Sequence, residues 1–161
     1  MNTVFLITGG NIGNRKENLQ TAAISIEEEI GEIIRSSKIY ETEAWGLTSQ
    51  SSFYNQVHII KSELSADKIL DTILKIEAKM GRVRTIKNAA RIIDIDILFF
   101  NDAIINKPNL IIPHPEINNR RFVLMPLEEV APEMIHPVSK KNIKELLPLC
   151  KDTLKVMPLN S

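Results

Sequence analysis

An α+β sandwich, with an antiparallel sheet flanked by helices, follows from three features of the 161-residue sequence. Segments of period-two and period-3.6 hydrophobicity succeed one another as strand, helix, strand, strand, helix, strand, the order of a ferredoxin-like fold with its helices on one sheet face. Both helical segments carry their own start signals. The length suits a single domain, residues 1–161, large enough to bury roughly 70 % of its unfolded surface without a disulfide or structural metal.

Thr3 to Thr8 reads as the first strand, closed by Gly9-Gly10-Asn11. Leu19, Ala22, Ala23, Ile26 and Ile30 then recur at helical spacing, and Asn14 with Glu17 three residues on resembles a capping box. Ile33 to Thr42 reads as a second strand and Phe53 to Lys61 as a third, separated by the irregular Glu43-Ala44-Trp45-Gly46-Leu47 segment. Ser65 caps a helix through Met80 with Ile69, Ile73, Ile76 and Met80 as its stripe and Gly81 as its stop. Ile92 to Phe100 makes the fourth strand, Asn101-Asp102 suits a hairpin turn, and Asn142 to Leu147 suits a short helix stopped by Pro148.

Composition narrows the function. Lys plus Arg and Asp plus Glu number 20 each, so the chain offers no basic footprint for wholesale nucleic-acid binding. No apolar run is long enough to cross a bilayer, and the start, Met1-Asn2-Thr3-Val4, lacks an export leader, which points to a cytoplasmic protein. Cys150 is the single cysteine, expected to pack rather than react. A phosphate loop with Gly-Lys-Ser/Thr, a dinucleotide fingerprint in Gly9 to Gly13 and a serine nucleophile elbow are all missing.

Chemistry concentrates in Ala90 to Phe100, "ARIIDIDILFF". Alternation along a strand sends Asp94 and Asp96 to one face and Ile93, Ile95 and Ile97 to the other. Two carboxylates about 7 Å apart repel each other and are costly to bury unless a cation lies between them. Mg²⁺ fits, because it takes one or two carboxylates and completes its shell with water and phosphate oxygens, and such a pair can hold two ions for phosphoryl transfer. A solvated edge strand is the alternative.

Between Glu77 and Asp94 stand Lys79, Arg82, Arg84, Lys87 and Arg91 and no acid. A basic loop leading into the aspartate strand is a candidate lid over polyphosphate, since arginine clamps phosphate oxygens bidentately; a solvated helix end is the plainer reading. Glu77, on an inward side near a helix C-terminus, needs a cationic partner, either the basic loop or a nucleotide site. In "FYNQVHII", Phe53, Asn55, Val57 and Ile59 share a face, an aromatic beside an amide as required to stack and read a flat heterocycle, or as core packing with one polar exception. His58 reads as a strand-face residue. Pro113 and Pro115 stiffen the turn that carries His114, with Arg120, Arg121 and Phe122 close behind.

Lys87, Ala89, Ala90 and Arg91 followed by Asp94-Ile95-Asp96-Ile97-Leu98 resemble the signature of the 6-hydroxymethyl-7,8-dihydropterin pyrophosphokinase family of folate biosynthesis. The likeness runs on through Tyr40-Glu41-Thr42, Asn55, Glu77 with Gly81-Arg82-Val83-Arg84, Pro113-His114, and Asn119-Arg120 with Phe122. It implies transfer of pyrophosphate from ATP to the hydroxymethyl group of the pterin, giving the pterin diphosphate and AMP. By position, the resemblance implies that Asp94 and Asp96 bind two Mg²⁺ ions and act in catalysis with Arg82, Arg84 and Arg91. Glu77, Arg84, Arg91, Ile97, Leu98, His114 and Arg120 would contact ATP. Thr42, Ala44, Trp45, Phe53, Asn55 and Phe122 would bind the pterin. The implied partners are ATP and the pterin alone, with no nucleic acid or membrane, on a monomer.

Two positions depart from the family pattern: Asn88 stands where many relatives carry an aromatic, and Glu43-Ala44-Trp45 where prolines often follow the threonine. A two-metal nuclease or polymerase-like palm would want a long basic track, which the neutral balance does not supply. A non-catalytic RNA or small-molecule module stacking on Phe53 and Phe122 leaves Asp94 and Asp96 unexplained.

Overall fold

The computed structural model describes residues 1–43, 51–82 and 91–159. Its elements run β1 (Asn2–Gly10), α1 (Arg15–Glu29), β2 (Glu32–Ser36), β3 (Tyr40–Thr42), β4 (Phe53–Ser62), α2 (Ala66–Lys79), β5 (Asp94–Phe100), β6 (Ile105–Lys107), β7 (Leu110–Ile112), α3 (Arg121–Val130), α4 (Ile143–Leu149) and β8 (Val156–Pro158). The main sheet has the order β5-β1-β4-β3-β8, with β2 also on β4, and its pairs are antiparallel. The first four strand positions and two helices thus form the ferredoxin-like unit the sequence predicts.

Local chemistry sets the boundaries. Asn14 caps α1 by accepting from Glu17 N–H at 3.0 Å, and its side-chain amide reaches back to the Glu17 carboxylate at 3.2 Å. Ser65 caps α2 in the same way, and Gly81 ends it at a φ of +88°, a conformation that favours glycine. The strand expected over Ile33 to Thr42 is broken in two. Ser37 leaves the ladder, its N–H bonding to Val57 O at 2.9 Å while its hydroxyl accepts from Val57 N–H at 3.0 Å.

Sheet alternation builds two cores. Val4, Leu6, Ile60, Ile93, Ile95 and Ile97 pack against Leu19, Ala22 and Ile26 of α1 and Ile69, Ile73 and Ile76 of α2. Phe5, Ile7, Val57, Ile59, Leu98 and Phe99 pack on the other face against Val123, Leu124, Leu127 and Val130 of α3 and Ile143 and Leu146 of α4. The expectation of helices on one face is therefore corrected: α3 covers the second face, and Pro126 within it hid its helical pattern. Pro148 likewise lies inside α4, near its end, rather than stopping it. Asn101-Asp102 does turn the chain, with Asn101 at φ 51°, but β6 pairs with β7 and not with β5, so no hairpin forms there. Cys150 is half-buried against the second core, a packing role as expected.

Candidate active site

β5 is an edge strand paired to β1, and its alternation delivers what the sequence predicts: Ile95 and Ile97 enter the first core while Asp94, Asp96 and Leu98 face the α3 side. There they line a solvent-open cleft of about 750 Å³. β4 contributes Phe53 and Asn55 to the same cleft, β3 contributes Thr42, the segment before α3 contributes His114 and Arg120, and the first turn of α3 contributes Phe122. Two aspartates, two arginines, a histidine and two aromatics from distant parts of the chain thus converge on one cleft.

At the acidic end, Asp94 is held by two guanidinium groups. Arg82 Nη1 meets Oδ1 at 2.5 Å and Arg91 Nη1 meets Oδ2 at 3.0 Å. Arg82 is oriented from behind by Glu77, whose Oε2 lies 2.6 Å from the same nitrogen and also accepts from Ile95 N–H at 2.8 Å. Glu77 is 2 % exposed and lines neither this cleft nor its neighbour, and Arg82 is a cationic partner in direct contact with it. Burial works against the Arg82 charge, but the flanking carboxylates of Asp94 and Glu77 outweigh it and hold the guanidinium above its ordinary range.

Asp96 is the uncompensated acid. Burial first, and then repulsion from Asp94 and Glu77, pushes its carboxyl up to about 7. His114 stands beside it, with Nε2 4.0 Å from Oδ2. The His114 backbone is anchored to β5 through Leu98 O at 3.0 Å, and its Nδ1 accepts from Glu116 N–H at 3.1 Å, which places the ring proton on Nε2, toward Asp96. Burial and the nearby Arg120 lower the His114 pKa, favouring the neutral ring.

At the aromatic end, Arg91 stacks over Phe53 with 5.7 Å to the ring centroid, and Arg120 over Phe122 with 5.6 Å. Asn55 is oriented by its amide, which donates to Thr8 O at 3.4 Å. Its Oδ1 is buried with no hydrogen-bond partner, as is Thr42 Oγ1. Two unsatisfied acceptors in a cleft that also holds two aromatic rings are costly by themselves and suit a flat ligand with N–H groups on its edge.

A second cleft of about 650 Å³ adjoins the first and shares Asp96 and His114 with it. Leu70 of α2, Ile97 of β5 and Leu110 and Ile111 of β7 give it apolar walls. Ile97 and Leu98, grouped together by sequence, therefore lie on opposite sheet faces and serve different clefts. Arg84, Ala44 and Trp45 lie outside the described residues, as do Lys87 and Asn88. Sequence reasoning missed the β7 wall and Gly9, which lines the first cleft. A Cβ on Gly9 would stand 2.0 Å from Asn55 Nδ2, so the paired glycines at the end of β1 were the available signal. No helix of the described residues is long and apolar enough to cross a membrane.

Residues 5–132 match the family model described as 7,8-dihydro-6-hydroxymethylpterin-pyrophosphokinase. A 2-amino-4-hydroxy-6-hydroxymethyldihydropteridine pyrophosphokinase of Aquifex aeolicus is 39 % identical over 155 residues, 96 % of this chain and 95 % of that protein. The folic acid synthesis protein FOL1 of Dictyostelium discoideum is 39 % identical over 136 residues, which span 84 % of this chain but 20 % of the larger protein. Among solved structures, Plasmodium falciparum HPPK-DHPS with SDX-DHP shares the fold, with a TM-score of 0.75 at 22 % identity over 92 % of this chain and 43 % of that one.

Proposed function

The chain belongs to the 7,8-dihydro-6-hydroxymethylpterin-pyrophosphokinase family, and from that premise we propose that residues 1–161 form one pyrophosphokinase domain, acting as a monomer in the cytoplasm. It transfers pyrophosphate from ATP to 6-hydroxymethyl-7,8-dihydropterin, releasing AMP, as a step of folate biosynthesis. One observation carries this reading. The cleft joins a paired-acid, arginine-rich end suited to polyphosphate with an end whose two rings and two unpartnered oxygens suit a flat, hydrogen-bonding heterocycle.

Asp94 and Asp96 fit Mg²⁺: two oxygen-donor side chains share one strand face, and burial with repulsion from Asp94 and Glu77 disfavours the Asp96 charge in a way that a bound cation would relieve. Two such ions, held by these acids and the phosphates, would screen the charge that a hydroxyl oxygen meets at the β-phosphorus. In the transfer itself the pterin hydroxyl oxygen bonds to the β-phosphorus, the bond from that phosphorus to the α–β bridging oxygen breaks so that this oxygen leaves with AMP, and the hydroxyl proton passes to water. Arg82 and Arg91, already at Asp94, can turn to the phosphate oxygens and steady the charge that develops in flight. His114 and Arg120 reach the same polyphosphate from the other wall. Glu77 acts through Arg82, fixing it from behind. Arg84 belongs to the same group of cations by its place in the sequence.

Phe53 and Phe122 would sandwich the pterin, and Asn55 Oδ1 and Thr42 Oγ1 would accept from its edge. Ala44 and Trp45 are assigned to the pterin by the family resemblance of the Thr42 to Trp45 stretch alone. The neighbouring apolar cleft beside Ile97 would take the adenine, with Asp96 and His114 at the passage between the two. Leu98 would lie under the polyphosphate rather than beside the base. The decisive experiment is to mix protein, ATP, Mg²⁺ and the reduced hydroxymethyl pterin and separate the nucleotides. AMP with pterin diphosphate is the expected result; ADP, or no pterin-dependent turnover, overturns it.

A further inference from the structure

The Gly9-Gly10-Asn11 stretch matches no phosphate-binding fingerprint, yet it lies where the two ends of the cleft meet. β1 lies between β4 and β5, and its last ladder pairs are Gly10 with Tyr54 on one side and Gly9 with Asp94 on the other. One residue further on, Asn11 continues both ladders, largely through its side chain. Its backbone N–H donates to Arg91 O at 2.9 Å, and its Oδ1 accepts from Arg91 N–H at 2.8 Å. Its Nδ2 donates to Ser51 O at 3.1 Å. Asn11 is 4 % exposed. The two glycines make the approach possible: a Cβ on Gly10 would fall 2.2 Å from Ile92 O, and one on Gly9 would strike Asn55.

Ser51 leads in two residues to the Phe53 ring, and Arg91 carries the guanidinium that both stacks on that ring and pairs with Asp94. We infer that Asn11 is a positioning residue that sets the distance between the heterocycle end and the phosphate end of the cleft, by clamping the backbone at Ser51 and at Arg91. The inference rests on the pyrophosphokinase reading, because the two ends must be in register for a hydroxyl on the heterocycle to reach the β-phosphorus. Displacements of about 1 Å in such alignments are enough to slow group transfer strongly.

The test is a double-mutant cycle on turnover, with Asn11→Ala measured in wild-type and Arg91→Ala backgrounds and thermal denaturation followed in parallel. In the wild-type background Asn11→Ala should lower kcat about tenfold or more while KM for ATP moves less than about threefold. In the Arg91→Ala background the same change should cost less than about threefold, because the group being positioned is gone. Asn11→Asp keeps the acceptor for Arg91 N–H and loses the donor to Ser51. It should therefore retain more kcat than Asn11→Ala and show its loss chiefly in KM for the pterin. Equal factors in both backgrounds, or kcat within about twofold of wild type, overturn the assignment, as does failure of both Asn11 variants to fold. Wild-type protein that forms no AMP overturns the activity itself and the assignment with it, whereas wild-type turnover with an additive cycle removes the assignment alone.

Discussion

His114 Nε2 faces Asp96 Oδ2 across 4.0 Å, with the imidazole proton directed at the carboxylate because Nδ1 is occupied by Glu116 N–H. Burial keeps this histidine neutral more readily than usual, so it offers Asp96 a dipole rather than a full counter-charge.

Asp96→Asn should therefore stabilise the metal-free protein while abolishing turnover. The folded-state pKa of Asp96, about 7, lies above that of the unfolded chain, 3.8. Between those values the folded state holds the extra proton, so the contribution of Asp96 to stability declines as pH rises through about 4 to 7 and stays low above. The side chain is 41 % exposed and partly screened, which limits the expected gain at pH 8 to about 1 kcal/mol. Thermal midpoints in the presence of a chelator at pH 5 and pH 8 check it: the variant should gain on wild type at the higher pH and much less at the lower.

Glu77→Gln should slow catalysis and loosen the fold together. The amide can still accept from Ile95 N–H, but the buried charge opposite Arg82 is lost. Because Asp94 remains as a partner for Arg82, the cost should be about 2 kcal/mol rather than that of a fully orphaned charge. Urea unfolding gives the stability. A kcat that falls by less than about twofold would show that Arg82 does not depend on Glu77 for its placement.

Much of this site was legible because its residues obey strand periodicity. Asp94 and Asp96 had to share a face, and Phe53 and Asn55 had to share another, whatever the tertiary arrangement. What periodicity cannot supply is which strands become neighbours: the meeting of those two faces in one cleft depends on β1 lying between β4 and β5. Ile97 and Leu98 illustrate the limit, since adjacency in sequence hid their separation across the sheet. Of the second helical layer, α4 is legible in the sequence although Pro148 lies inside its last turn rather than stopping it, whereas α3 carries Pro126 in its interior, where a proline costs a backbone bond and argues against a helix. The sequence leaves Glu77 between a salt bridge to the basic loop and a nucleotide contact, because helix position alone does not show that its Oε2 lies 2.6 Å from Arg82 Nη1.

Gly9→Ala should damage pterin binding selectively. The added methyl would overlap Asn55 Nδ2 at 2.0 Å and press on Tyr54 O at 3.1 Å, so Asn55 must swing away and take its Oδ1 with it. Pterin affinity, followed by intrinsic pterin fluorescence, should fall by about tenfold or more, the loss of one well-placed buried hydrogen bond and its alignment. Nucleotide affinity should change little, since the apolar cleft beside Ile97 lies on the opposite face of the sheet. Equal losses for both ligands would mean that the glycine supports the fold rather than the Asn55 geometry.

His58 makes the protein acid-sensitive from a position remote from the chemistry. It is 2 % exposed on β4, with Nδ1 2.7 Å from Ser36 Oγ and a buried Nε2 that has no partner. Burial lowers its pKa from 6.5 to about 4, so the folded state refuses a proton that the unfolded chain accepts. Between those pH values the unfolded state binds more protons, and stability falls as pH drops from about 6.5 toward 4, by about 3 kcal/mol at the lower end. His58→Leu removes the titrating group and leaves the exposed Ser36 hydroxyl to water. The difference in unfolding free energy between pH 7 and pH 4.5, taken from urea titrations, should be markedly smaller in the variant than in wild type. If the two differences match, His58 is not the group that resists protonation, and the acid sensitivity must arise from the carboxylates instead.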